Sequence, residues 1–298
     1  MRVLVSGGTG LIGRALVRSL EEDQHEVTLL ARSEGVKAPR ILWDPERGVM
    51  DPRLLEGFDA VVHLAGESIA NGRWTAAIKE RISESRTRGT FFLADALAKS
   101  VRPPKVMVCA SAVGFYGNRG EERLTEGSLP GKGYLPEVCQ AWESACSPAV
   151  AKGIRVANLR FGVVLSPQGG ALKKMLLPFK FGLGGKIGSG QQWWSWVSLE
   201  DVVGALRHVL STDSLSGPIN VTAPVSVRNA DFTKMLGRAL HRPAFLPLPA
   251  FAATLVLGEM AEALLLASAN VEPKKLLASG YLFRHPTLAQ ALPQLLKR

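Results

Sequence analysis

The chain has 298 residues, of which 46% are apolar and 21% charged, an ordinary composition for a globular protein of one or two domains. Its net charge of +10 suits an anionic ligand, but charge alone is poor grounds for nucleic-acid binding, so we expect no nucleic-acid partner. The three cysteines form no CxxC pair and no cluster with histidine, which argues against a disulfide scaffold and against a metal site.

Two features concern the compartment. The chain opens directly on an apolar run without a secretory leader pattern. The most apolar window, 250–269, contains Glu259 and Glu262, and a membrane span tolerates such charges poorly. We therefore expect a mostly buried helix in this window, no membrane partner and a cytoplasmic protein.

The first 160 residues alternate short apolar runs with amphipathic stretches. The runs cover 3–5, 27–30, 60–64, 106–109 and 156–159, and the helical patterns cover 11–22, 75–99 and 134–151. Runs rich in β-branched residues without strict alternation are typical of strands buried on both faces. The pattern predicts an α/β fold with a doubly wound parallel sheet of the Rossmann type.

The character of the chain changes near residue 165, where glycine and proline become frequent. Two helical patterns remain recognisable, at 199–211 and 229–240. We expect a dinucleotide-binding domain over 1–165, with 192–222 as a candidate segment returning to it. Residues 166–298 then form a smaller, irregular C-terminal α/β part on the substrate side.

Three glycines follow the first predicted strand and precede the first predicted helix. Gly7, Gly10 and Gly13 permit a sharp turn, close approach of the backbone to a pyrophosphate, and close packing of helix on strand. The helix N-terminus offers free N–H groups to the phosphates. A glycine-rich turn without a ligand is the alternative interpretation.

The end of the second predicted strand indicates which dinucleotide binds. An NAD-binding domain usually has Asp or Glu there for the ribose 2′-hydroxyl, whereas this chain has Ala31-Arg32-Ser33. The planar fork of Arg32 suits a 2′-phosphate. We therefore predict NADP (NADPH) as the cofactor, with NAD less favoured; a solvated surface arginine is the alternative.

Four segments resemble the extended short-chain dehydrogenase/reductase superfamily: SGGTGLIG at 6–13, DAVVHLAGE at 59–67, CASAVGFYG at 109–117 and NLRFGVVLS at 158–166. A closer resemblance is to its atypical branch of epimerase family proteins. The chain shares with that branch HLAGE followed by Trp74 and Ser85-Arg86, and the glycine-rich stretch 176–196. It also shares the C-terminal segments RPAFLPLPAF and PKKLLASGYLFRHPTLAQAL.

The resemblance implies a set of cofactor-binding residues, in which Arg86 replaces an asparagine common in the wider superfamily. The set is Gly7, Thr9, Gly10, Leu11, Ile12, Gly13, Ala31, Arg32, Ser33, Leu64, Ala65, Gly66, Arg86 and Arg160. For Arg86 and Arg160, an ion pair at a helix surface or strand end is an equally weighted alternative.

The chemistry of the superfamily depends on Ser, Tyr and Lys, and only the serine has a match here, Ser111. Leu135 and Cys139 stand at the Tyr and Lys positions, and Tyr134 is one residue out of register. Glu67 and Tyr116 are therefore candidates beside Ser111 for catalysis, with a lining role as the alternative. Glu137 and Cys139 are further candidates because they lie early in the predicted helix, where a thiol pKa can fall.

The aromatic stretch GGKIGSGQQWWSW at 184–196 predicts a loop on the substrate side, where tryptophans could stack on a ring. Taken together, the sequence predicts an NADP-dependent oxidoreductase or epimerase acting on a small or nucleotide-linked polar substrate without the usual Tyr/Lys pair. The alternative is a non-catalytic NADP-binding sensor or scaffold. The sequence leaves the oligomeric state open.

Overall fold

The computed structural model describes residues 1–33, 39–70 and 72–297. The strands are β1 (Arg2–Ser6), β2 (Glu26–Ala31), β3 (Arg40–Leu42), β4 (Ala60–His63), β5 (Val106–Ala112), β6 (Arg123–Leu124), β7 (Arg155–Phe161), β8 (Val163–Ser166), β9 (Trp193–Trp194), β10 (Trp196–Ser198), β11 (Gly217–Val221), β12 (Val227–Arg228) and β13 (Asn270–Val271). The α-helices are α1 (Leu11–Glu22), α2 (Ala76–Ala98), α3 (Tyr134–Ser144), α4 (Ser147–Ala151), α5 (Gly170–Lys180), α6 (Leu199–Ser211), α7 (Asn229–Ala239), α8 (Ala250–Leu257), α9 (Glu259–Ala261), α10 (Lys274–Ala278) and α11 (Leu288–Leu296).

Seven parallel strands form the main sheet, in the order β11-β7-β5-β4-β1-β2-β3. Side chains alternate between its faces. Val3 and Val5 of β1 pack with α1 and α6, whereas Leu4 packs with α2 and α4. Helices therefore cover both faces, and the predicted doubly wound parallel sheet is confirmed. The short strands β3 and β11 at its two edges were not predicted.

The strand register collects functional segments at one edge. Ser6 lies beside Leu30 on one side and His63 on the other, and Ser111 lies beside Arg160. Because all seven strands are parallel, their carboxyl ends meet at the same edge, where such sheets bind ligands.

The C-terminal part has its own core, built by α5, α7 and α11 around Trp194, Trp196 and Phe232. Trp194 is 6% and Trp196 1% exposed, so the prediction that these two stack on a substrate is wrong. These two tryptophans belong instead to the hydrophobic core of the C-terminal part. Only Trp193 is half-buried, and its Nε1 donates to Glu121 at 3.0 Å.

Two predicted helices differ from the structure. The helix expected over 134–151 is broken into α3 and α4, because Pro148 cannot donate to the preceding turn. The helix expected over 250–269 is interrupted at Gly258, whose φ of +62° does not continue a helix. It is not mostly buried, since Phe251 and Leu255 are exposed. Within the described residues, no helix has both the length and the apolar character needed to cross a membrane.

Candidate functional site

The glycine loop joins β1 to α1 in a space that only glycine fits. Gly7 has a φ of +69°, and a Cβ there would lie 2.7 Å from the carbonyl carbon of Leu64. A Cβ on Gly13 would lie 2.2 Å from the Gly7 oxygen. The loop therefore rests directly on the end of β4, and its backbone faces open space in front of the sheet edge.

A cleft of about 720 Å³ opens in front of this loop. Its described lining includes these predicted cofactor residues: Gly7, Thr9, Gly10, Ala31, Arg32, Ser33, Leu64, Ala65 and Gly66. Leu11 and Ile12 open α1 behind the loop, and Gly13 is buried beneath it. The residues predicted for the cofactor thus come together, and their cofactor contacts stay predictions.

The floor of the cleft is held by one side chain of β1. The Ser6 hydroxyl accepts hydrogen bonds from the backbone N–H groups of Leu64 and Ala65, at 3.2 and 3.3 Å. This fixes the segment 64–66 against the glycine loop. A dinucleotide crossing the sheet edge would thus lie on two backbone segments already bound to each other.

Three arginines line the cleft, together with three glutamates, Glu46, Glu67 and Glu84. Arg32 follows β2, and Arg81 and Arg88 project from α2. Arg81 lies 3.4 Å from a carboxylate oxygen of Glu67, whereas no ion pair is found for Arg32 within the described residues. Arg32 is therefore available for an anion. Sequence reasoning missed Arg81 and Arg88, although with Ser85 they have the spacing of one helix face.

Arg86 lies beneath the cleft rather than at its surface. Its guanidinium donates to the carbonyl oxygens of Ile82 and Glu67, at 3.0 and 2.9 Å, and stands 4.9 Å from the ring of Trp142. Burial lowers the pKa of this guanidinium. Arg86 holds the segment after β4 in place, and its predicted direct cofactor contact stays a prediction.

Ser111, Tyr116 and Arg160 join a buried polar network behind the cleft. Glu143 of α3 receives two hydrogen bonds from Arg160, at 2.7 and 2.8 Å, and one from the Ser111 hydroxyl at 2.7 Å. Arg160 also donates to the Tyr116 hydroxyl at 3.0 Å, which lies 2.7 Å from Oδ1 of Asn220. Burial raises the pKa of Tyr116. All three groups are held by neighbours. Arg160 therefore forms the strand-end ion pair that the sequence left open beside a cofactor contact, with Glu143 as its partner.

The helix that carries the proton machinery in the wider superfamily has none here. Leu135 and Cys139 of α3 pack against Gly114, and the Tyr134 hydroxyl donates to the Lys79 carbonyl at 2.6 Å. Burial, followed by the charge of Glu143, raises the pKa of the Cys139 thiol to about 12. The idea that its position early in the helix lowers the pKa is therefore wrong.

Among the three predicted catalytic residues, all within the described part of the chain, Glu67 lines the cleft. Its backbone is fixed by a hydrogen bond from its N–H to the Ser85 hydroxyl, at 3.1 Å, and by Arg86. Its carboxylate faces Arg81 and is about one-third exposed. Glu67 is thus a carboxylate on a rigid segment, open to whatever enters the cleft.

Comparison with known proteins identifies the family. The family model described as NAD dependent epimerase/dehydratase family matches residues 3–222. The chain is 41% identical over 290 residues to the epimerase family protein Mb2239 of Mycobacterium bovis, covering 97% of this chain and 96% of that one. This chain belongs to the NAD-dependent epimerase/dehydratase family. The predicted branch is confirmed, and a second model, a domain of unknown function (DUF1731), matches residues 248–295.

Two solved structures resemble the fold. The human epimerase family protein SDR39U1, whose crystal structure contains NADPH, is 39% identical, covers 99% of both chains and has a TM-score of 0.91. The UDP-glucuronic acid 4-epimerase of Bacillus cereus, in complex with NAD, has a TM-score of 0.76 at 18% identity. It covers 98% of this chain and 94% of its own, and it supports the fold alone.

Proposed function

We propose that this chain is an NADP(H)-dependent oxidoreductase or epimerase acting on a small or nucleotide-linked polar substrate. The observation that carries the proposal is the cleft. A glycine cradle, Arg32 at the end of β2 and the partly exposed carboxylate of Glu67 line one space. The NADPH in the human relative supports the same cofactor.

The residues of the cleft fit this dinucleotide. When bound, NADP(H) supplies or accepts a hydride at the nicotinamide C4. The N-terminus of α1 directs free N–H groups at the pyrophosphate. Gly7 lets the loop lie close against the end of β4, and Gly13 lets α1 lie close against the loop. Arg32 binds the 2′-phosphate through its planar fork. Segment 64–66 supports the cofactor from below.

Glu67 is the residue we assign to proton transfer. A carboxylate within hydrogen-bond reach of a substrate hydroxyl can take its proton while the carbon is oxidised, and can return it in the reverse direction. Since Leu135 and Cys139 cannot do this, the mechanism would differ from the tyrosinate mechanism of the wider superfamily. Arg81, whose Nε lies 3.4 Å from an oxygen of this carboxylate, helps to hold it in position.

A second candidate function is a non-catalytic NADPH-binding sensor or scaffold. The observation that favours it is the burial of the hydroxyls of Ser111 and Tyr116, both engaged with neighbours behind the cleft. In that case the cleft binds the cofactor and the chain lacks any proton donor near the nicotinamide.

Two measurements on the same protein test these proposals. NADPH and NADH affinities are measured by fluorescence titration, and NADPH oxidation is then followed against a panel of carbonyl compounds and sugar nucleotides. Sustained oxidation that is lost in Glu67→Gln supports the enzyme. Tight NADPH binding without turnover across the panel supports the sensor and refutes the enzyme. Absence of NADPH binding refutes both.

A further inference from the structure

The C-terminal part exposes a run of large apolar side chains that its core does not use. We call Phe181, Leu183, Phe245, Leu246, Phe251 and Leu255 the apolar strip. The three phenylalanines are 73%, 73% and 75% exposed. Single exposed apolar residues are ordinary, whereas a continuous group of them marks a surface that contacts something apolar.

Backbone contacts bring together the segments that carry the strip. The N–H of Leu246 donates to the Gly184 carbonyl at 3.1 Å, and the N–H of Leu248 donates to the Lys186 carbonyl at 2.9 Å. The segments 181–188 and 242–250 therefore run side by side. Gly188 lies against Ala250 at the start of α8, which places the exposed side chains of that helix next to the same seam.

A cationic recess borders the strip. It has a volume of about 480 Å³ and is lined by Lys234 and Arg238 of α7, by His241 and Arg242, and by Phe245 of the strip. Arg242 also donates through Nε to the Lys180 carbonyl at 3.0 Å, which joins the recess to the end of α5. No ion pair in the described chain neutralises Lys234, Arg238 or Arg242.

We propose that this face docks on the surface of an anionic phospholipid bilayer. The strip inserts into the boundary between headgroups and acyl chains, and the cations of the recess bind headgroup phosphates. The argument is the complementarity of a positive recess, on a chain of net charge +10, with a negative surface beside an apolar layer. The sequence predicted no membrane partner on the ground that no segment spans a bilayer; docking on a surface needs no span.

Two other occupants fit less well. A second copy of this chain in a two-fold dimer would bring the same face from both subunits together, and the two cationic recesses would then flank one seam. Like charges at such an interface are unfavourable. A nucleic acid needs its phosphate track met by cations throughout, whereas the centre of this face offers only hydrocarbon.

Vesicle flotation tests the proposal on the full chain. The probes are vesicles of phosphatidylcholine alone and of phosphatidylcholine with phosphatidylglycerol, at about 0.1 M salt. We expect binding to the anionic vesicles and little to the neutral ones. Lys234→Gln with Arg238→Gln should weaken binding about 25-fold, at roughly fivefold per cation. Phe245→Ser with Phe251→Ser should weaken it at least tenfold.

Matched controls distinguish binding through this face from attraction caused by the overall positive charge of the chain. Lys105→Gln with Lys152→Gln changes the net charge equally at exposed positions outside the recess and the strip, and should leave binding unchanged. All variants should keep their melting temperature and NADPH affinity. Equal loss in the control pair, or no binding of the unaltered chain to anionic vesicles, overturns the proposal. So does a dimer that dissociates in the phenylalanine variant without vesicle binding, which assigns the face to a second copy.

Discussion

The hydroxyl of Ser6 lies 2.6 Å from Nδ1 of His63, directly beneath the cofactor cleft. Because this hydroxyl already accepts two backbone N–H groups, its own hydrogen must go to Nδ1. The hydrogen-bond pattern thus assigns a neutral His63 with its proton on Nε2. Within the described residues that nitrogen has no hydrogen-bond partner, and the ring stands edge to face with Trp43, 5.9 Å between centroids.

His63 should make the fold sensitive to mild acid. Burial lowers its pKa from 6.5 to about 4. Between those values the unfolded chain takes up a proton that the folded chain does not, so stability falls as the pH drops from 6.5 to 4. The full contribution is about 3 kcal/mol. Below pH 4 both states are protonated and the loss is complete.

His63→Asn isolates this contribution, because Oδ1 of Asn still accepts from Ser6 and does not titrate. We expect urea unfolding between pH 7.5 and 4.5 to show a smaller loss of stability in this variant than in the unaltered chain. His241→Asn is the control, since His241 is exposed and asparagine tolerates its φ of +52°. Parallel pH profiles for all three chains would refute the assignment.

Two glycines in helices should respond to alanine in opposite directions. Gly13→Ala places a Cβ 2.2 Å from the Gly7 oxygen, so α1 must move from the loop. We expect a loss of about 1–3 kcal/mol and much weaker NADPH binding. Gly89→Ala in α2 meets its nearest atom at 3.8 Å, and should be neutral or stabilising by about 0.5–1 kcal/mol. Thermal unfolding and NADPH titration measure both; a Gly13→Ala protein that binds normally would contradict the cradle.

Elements set by local sequence were predicted well. The helix over 199–211 is observed at those residues, because Ser198 caps it by accepting from the Asp201 N–H and its apolar residues face the sheet. The glycine loop was recognisable because its three residues are neighbours in the chain. In both cases the physical cause lies within a few residues of the feature.

Features that depend on distant partners were predicted less well. The sequence shows that 250–269 is apolar but not which face finds a partner, and Phe251 finds none within the described fold. Likewise, Ser111 ends a strand at the correct edge, yet its hydroxyl meets Glu143, 32 residues later in the chain. Arg86 and Arg160 were seen as cations near the site, while their partners become visible only in three dimensions.

Arg32 should decide between the two dinucleotides. Arg32→Ala removes the planar cation at the end of β2, and we expect NADPH affinity to fall on the order of 10- to 100-fold while NADH affinity changes little. Fluorescence titration with both cofactors measures the ratio. Arg18→Ala, on the exposed face of α1, is the control and should leave both affinities unchanged. An equal loss of affinity for both cofactors would show that Arg32 does not bind the 2′-phosphate.

Glu67 should separate turnover from cofactor binding. In Glu67→Gln we expect kcat to fall about 100-fold or more, because the amide cannot accept the substrate proton, with the NADPH dissociation constant within about twofold. Glu84→Gln is the matched control, since Glu84 lines the same cleft from α2. Unchanged kcat in Glu67→Gln, or an equal loss in Glu84→Gln, would return Glu67 to a lining role.

The ion pair of Arg160 and Glu143 should matter for folding more than any surface pair. The Arg160 side chain is 3% exposed, and its guanidinium stands 3.4 Å from the ring centre of Phe115. Arg160→Met leaves the Glu143 carboxylate buried with only the Ser111 hydroxyl, so we expect a loss of about 3–5 kcal/mol. The double variant with Glu143→Leu leaves no buried charge behind, so it should lose less stability than the two single variants together.

Urea unfolding of all four chains measures the coupling between Arg160 and Glu143. Arg18→Ala is the control, because Arg18 forms an exposed pair with Glu22 and its loss is expected to change nothing. If Arg160→Met proves as mild as Arg18→Ala, the network behind the cleft does not hold β7 to α3.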